Sequence, residues 1–124
     1  MIQMKLKKKI TIGIGILTVG ILLWQFGLFN RFNYLTGKID GWRNSARIVT
    51  VGKPLPCGVP CIGLKEKYGF HESNVGCVVT GPQLRGIDAY NAEIEKYLNK
   101  RNGKDWRKKY QAEMDSLIKN NIME

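Results

Sequence analysis

Three cysteines and one histidine are the side chains of this 124-residue sequence best suited to chemistry. Cys57 and Cys61 lie three residues apart between prolines, in the segment PCGVPC. A structural disulfide is one interpretation, favoured by an oxidising compartment, and a redox dithiol is a second, although the familiar redox spacing has two intervening residues. The third is a metal site, because His71 and Cys77 would complete a Cys3His set suited to zinc or, through its thiolates, to Cu(I).

No catalytic motif accompanies these residues. The sequence contains neither a GxxxxGK[ST] phosphate loop nor an HExxH zinc motif. Cys77 lies in an apolar segment, where it suits a core position, and a single His71 is typical of a surface position. Glu93 and Glu95 lie near lysines at helical spacing, so ion pairing accounts for them. We therefore predict a protein that is not an enzyme and holds no cofactor.

A long uncharged segment precedes the cysteines. Residues 10–29, ITIGIGILTVGILLWQFGLF, would form a helix of about 30 Å, the thickness of a bilayer's hydrocarbon core. No A-x-A-like cleavage site follows, so the pattern predicts an uncleaved transmembrane helix rather than a cleaved signal peptide. Gly13, Gly20 and Gly27 recur every seven residues and predict a face for close helix packing. The alternative is the ordinary abundance of glycine in membrane helices.

Basic residues set the expected orientation of this helix. Lysine and arginine number 20, against 10 aspartates and glutamates, and four lysines crowd residues 1–9. By count, lysine and arginine are nearly equal on the two sides, but the lysines before the segment are denser and nearer to it, which predicts a basic cytoplasmic tail and a domain on the other side of the membrane. Residues 30–45 read as a juxtamembrane linker, and residues 46–124 as the domain.

Periodicity describes the elements of that domain. Residues 47–51 and 76–80 are rich in β-branched side chains and predict short strands, and residues 62–70 predict one or two helical turns. Apolar residues at helical spacing predict two C-terminal helices joined by residues 101–104. The fold class expected is α+β, with two or three short strands under a C-terminal helical hairpin. The predicted core of that hairpin is Tyr90, Ile94, Tyr97, Leu98, Trp106, Tyr110, Met114 and Leu117.

Three motifs near the C-terminus carry a resemblance. GCVVT is followed by GI-x-x-YN and then by KRNGK-x-W, within residues 76–114. In these motifs the chain resembles small uncharacterised bacterial membrane-anchored proteins, over roughly its last 60 residues; the PCGVPC segment lies outside the resemblance. The resemblance implies a location in the bacterial envelope and no particular activity. Combined with the orientation above, it predicts a single-pass inner-membrane protein with a periplasmic C-terminal domain.

The expected function follows from the predicted anchor and the basic domain. A basic domain suits an anionic lipid surface or an acidic protein, and a membrane tether disfavours nucleic acid. We expect a membrane-anchored structural or interaction protein of the bacterial envelope. It would contact the lipid bilayer and bind another membrane or periplasmic protein, or a second copy, through the helix or the basic domain. The alternative is a thiol-dependent redox or metal-handling protein that uses Cys57 and Cys61.

Overall fold

The structure, a computed structural model, describes residues 1–54 and 58–122. Within them the chain is mostly helical, with one pair of short strands, so the predicted α+β class is wrong. The strands run parallel, with Arg47 opposite His71. In chain order the elements are α1 (Ile2–Gln25), α2 (Tyr34–Trp42), β1 (Arg47–Thr50), α3 (Gly58–Tyr68), β2 (His71–Asn74), α4 (Gly81–Asn102) and α5 (Trp106–Ile122).

Helix α1 differs from the predicted transmembrane helix at both ends. It begins at Ile2 and so includes the four lysines, and it ends at Gln25, before a turn in which Gly27 has φ of +68°. The longest uncharged stretch of α1 is residues 10–25, which measures about 24 Å, whereas a helix needs about 30 Å to cross the hydrocarbon core. Among the residues described, no helix combines the length and apolarity needed to cross a membrane. The predicted signal anchor, the single-pass inner-membrane location and the periplasmic placement are therefore wrong.

The strand pair forms partly outside the predicted positions. β1 falls within residues 47–51 as predicted, but its partner is β2 and not residues 76–80, which are irregular. Just after β2, Gly76 has φ of +83°, and its carbonyl accepts the Gly52 N–H at 2.7 Å, so the two chain segments stay paired as far as this residue. Thr80 then begins α4 through a capping box with Gln83, in which each side chain accepts the other residue's backbone N–H.

The predicted juxtamembrane linker contains helix α2. Asn33 and Thr36 form its capping box, which fixes where the helix starts. On the face toward α4, Gly37 and Gly41 allow close approach: a Cβ on Gly37 would lie 3.0 Å from a backbone oxygen of α4, and one on Gly41 would lie 3.3 Å from Tyr97 Cβ. α2 is thus packed onto the helical body.

The core lies between α4, α5, α3 and β1. Trp106 at the start of α5 is 1% exposed, and its indole N–H donates to Asn99 Oδ1 at 2.8 Å. Of the residues predicted for the hairpin core, Tyr97, Tyr110 and Leu117 are partly buried. The others are buried, namely Tyr90, Ile94, Leu98, Trp106 and Met114.

Candidate interaction surface

Helix α1 exposes apolar side chains around its whole circumference. None of its residues is buried. A helix that is apolar on all sides is normally covered, and a contiguous apolar surface beyond a few hundred Å² usually marks an interaction site. No other described part of the chain covers this one. Leu23, near the end of the helix, is partly buried. Eight other large aliphatic residues are each more than half exposed: Ile10, Ile12, Ile14, Ile16, Leu17, Val19, Ile21 and Leu22.

The three glycines predicted to form a packing face lie in two different settings. At Gly13 and Gly20, no atom lies within 4 Å of the position that a Cβ would take, apart from the helix's own backbone and the adjacent residues. There is therefore room for another helix to approach this part of α1 closely. Helix packing on this face stays a prediction. Gly27 lies beyond the end of α1, buried in the turn against α4.

The C-terminal end of α1 is attached to α4 by two kinds of contact. A Cβ on Gly86 of α4 would lie 2.6 Å from the Phe32 carbonyl oxygen and 3.1 Å from that of Gly27, so only glycine fits there. Beside it, the Arg85 guanidinium donates to the Gln25 side-chain oxygen at 2.6 Å and to the Gln25 carbonyl at 2.5 Å. These contacts fix the point from which α1 leaves the helical body.

A buried polar network fixes α2 near the same junction. Asp40 on α2 is 9% exposed, and its Oδ2 accepts hydrogen bonds from the Tyr90 hydroxyl at 2.7 Å and from Arg31 at 3.3 Å. Burial, followed by the hydrogen bond to Asp40, raises the pKa of Tyr90 well above its ordinary value. The Tyr90 hydroxyl thus stays protonated and donates to the carboxylate. The network positions α2 on α4. Both hydrogen bonds to Asp40 Oδ2 come from side chains of the same chain, so this carboxylate has a structural role.

The cysteines do not form one cluster. Cys61 on α3 is 1% exposed and disulfide-bonded, and its Sγ packs 3.2 Å from Met114 Sδ. Cys57 lies outside the described residues. Cys77 is a free, exposed thiol in the loop before α4. A bonded Cys61 agrees with both the structural and the redox interpretations, which each contain a disulfide, and does not agree with a thiolate metal ligand.

His71 is on the surface of β2. Its Nδ1 lies 3.9 Å from a Glu66 carboxylate oxygen, and both side chains are more than half exposed. In residues 1–54 and 58–122, no three His, Cys, Asp or Glu side chains are grouped closely enough to hold a metal ion. The thiol-dependent redox or metal-handling alternative stays a prediction.

Thiol labelling of the native protein separates a disulfide at Cys61 from a reduced dithiol or a metal-bound thiolate. We expect a maleimide to modify Cys77 and to leave Cys61 unmodified without reductant, because one thiol is exposed and the other sulfur is bonded and buried. Peptide mass spectrometry reads out each position. Denatured, reduced protein is the control in which both residues react. Rapid modification of Cys61 in the native, unreduced protein would contradict the disulfide and favour a reduced dithiol or a metal-binding pair.

Sequence reasoning missed most of the junction. Nothing in the local pattern distinguished Gly86 or Arg85, whose partners lie about sixty positions earlier in the chain. α2 did carry a readable signal, since Asn33 and Thr36 stand at capping-box spacing at its start.

No protein-family profile, curated protein or solved structure matches the chain. The geometry therefore carries the functional argument.

Proposed function

We propose that this chain is a structural or interaction protein that presents helix α1 to another protein. The observation that supports the proposal is an apolar helix with no buried side chain, attached by its C-terminal end to a packed helical body. Covering one large aliphatic side chain contributes about 1.5–3 kcal/mol. Covering several of them would offset the cost of association, about 4–15 kcal/mol.

The charge at the other end of α1 narrows the chemistry of the partner. Lys5, Lys7, Lys8 and Lys9 lie on the first turns of the same helix, and no acidic residue accompanies them there. The matching surface is an apolar groove between helices with carboxylates at one end. Parallel pairing with a second copy would bring the lysines together, and like charges repel. A different protein, or an antiparallel second copy, avoids this repulsion.

A charged residue in the middle of α1 tests the proposal. Ile16 is 69% exposed, so Ile16→Asp should leave the thermal midpoint of the chain unchanged. Burying an aspartate in an apolar interface is costly, and we expect recovery of the crosslinked complex from intact cells to fall at least about tenfold. Quantitative mass spectrometry of the crosslinked species measures the fall.

The matched control is Val78→Asp, which introduces the same charge at an exposed valine in the loop before α4. This variant should retain the complex. Equal retention by both variants would show that α1 is not the interface. Uptake of the chain by protein-free lipid vesicles, with no protein crosslinked through α1 in cells, would also overturn the proposal. A complex containing only this chain would identify the partner as a second copy.

A further inference from the structure

A groove lies between α2 and α4 on the body, separate from α1. Its floor is the line of close contact at Gly37 and Gly41, and its volume is about 450 Å³. Lys38 and Trp42 line it from α2, while Lys96 and Lys100 line it from α4. A second depression of about 520 Å³ continues past Tyr97, lined by Asn44, Lys100 and Arg101.

Trp42 at the edge of this groove has no packing role in the fold. It is 84% exposed, whereas Trp106 is 1% exposed. Leu35, Ile39 and Trp42 follow one another at intervals of four and three residues and so share one face of α2. Leu35 and Ile39 are also exposed. Tryptophan dominates the energetics of protein interfaces because it buries a large, rigid area. The exposed face of α2 is therefore suited to contact an apolar side chain of another molecule.

The groove is strongly positive. Four cations line the two depressions, namely Lys38, Lys96, Lys100 and Arg101, against the single carboxylate of Glu93. The side chain of Glu93 is only 10% exposed, and it accepts a hydrogen bond from Lys96 at 2.8 Å. Its charge is thus compensated by Lys96, whose side chain is 73% exposed and keeps two further N–H donors. With Lys38, Lys100 and Arg101 the net charge of the groove is positive and complements a run of carboxylates.

We infer that this groove binds an acidic segment of a partner protein. An apolar side chain of the segment packs on Trp42, and its carboxylates pair with Lys96 and Lys100. A nucleic-acid strand would use successive rings for stacking. Of the two rings that line the groove, Tyr97 is partly buried, packs against Gly41 and donates its hydroxyl to Asn44 at 3.0 Å, so Trp42 is the more exposed ring. The inference goes beyond the proposed function, since it adds a second surface that does not use α1.

Peptide binding to the full chain tests the apolar contact. The probe is a fluorescein-labelled peptide in which glutamates flank one phenylalanine. A nonionic detergent is added to cover the exposed apolar side chains of α1. We expect fluorescence anisotropy to show binding that Trp42→Ala weakens about tenfold, as for an interface hot spot. Trp24→Ala, which removes an exposed tryptophan of α1, should leave the affinity unchanged. Equal affinities for both variants and the unmodified chain would overturn the assignment.

Charge reversal tests the ionic contact. The double variant Lys96→Glu with Lys100→Glu should abolish measurable binding. The control is Lys108→Glu with Lys109→Glu, which changes the net charge equally at exposed positions of α5. The control should weaken binding less than about twofold at physiological salt. Equal losses would mean non-specific attraction. Equally tight binding of an oligothymidylate, or of phosphatidylserine vesicles, with the same dependence on Trp42 would overturn the protein partner. Ile16→Asp should bind the peptide normally, so failure of this inference is distinguishable from failure of the α1 proposal.

Discussion

Gly86→Ala is expected to lower the free energy of unfolding by about 1–2 kcal/mol: overpacking a close contact costs about 1–3 kcal/mol, two oxygens place the cost near the upper end, and the helix propensity of alanine offsets about 1 kcal/mol. The added Cβ would lie 2.6 Å from the Phe32 carbonyl oxygen and 3.1 Å from that of Gly27. Both contacts are backbone, and neither can rotate away. For a body of this size, the thermal midpoint should fall by roughly 5–15 °C. Thermal unfolding followed by circular dichroism measures the shift.

Gly63→Ala is the matched control for this substitution. Gly63 is also a helical glycine, in α3, but nothing lies within 4 Å of the position its Cβ would take. Alanine is a better helix former than glycine by about 1 kcal/mol, so this variant should be unchanged or more stable. The same midpoint for Gly86→Ala and the unmodified chain would mean that the turn after α1 does not pack on α4 as described.

Trp106→Ala is expected to lower the free energy of unfolding by about 3–5 kcal/mol, the range for removing a large buried aromatic side chain. Trp106 is 1% exposed, and the rings of Tyr68, Phe70 and Tyr110 surround it at centroid distances of 6.1, 6.0 and 6.0 Å. The substitution also removes the indole donor to Asn99 Oδ1. Urea denaturation, with the midpoint and slope fitted together, measures the loss.

Two controls accompany this variant. Trp42→Ala removes the same side chain from an 84% exposed position, and Lys108→Ala truncates an exposed residue two positions along the same helix. Surface substitutions of this kind usually change stability by no more than about 0.5 kcal/mol. Losses of similar size in Trp106→Ala and Trp42→Ala would show that the core of the α4–α5 region is not centred on Trp106.

The helical periodicity of the C-terminal third was readable from the sequence. α4 and α5 occupy the two segments where apolar residues recur at helical spacing, and Gly103 stands at the stop between them. β1 falls where a β-branched run predicts a strand. These features depend on neighbours within one or two turns, so local pattern is enough to identify them. The predicted second strand is wrong because β2 has the sequence HESN, with no β-branched residue, and its pairing with β1 depends on the packed chain rather than on local composition.

The sequence by itself determined the apolar character of α1, its basic first turns and the helices around the hairpin, because each is a property of consecutive residues. The uncharged run, which continues to residue 29, did not show where α1 ends. The chain turns at Gly27, where the Leu28 N–H bonds to the Leu23 carbonyl at 3.0 Å, and the same glycine packs against Gly86 of α4. Contacts between residues about sixty positions apart leave no periodic signal in either segment. For the same reason, the close approach of α2 to α4 at Gly37 and Gly41, and the basic groove beside it, appear only once the chain is folded.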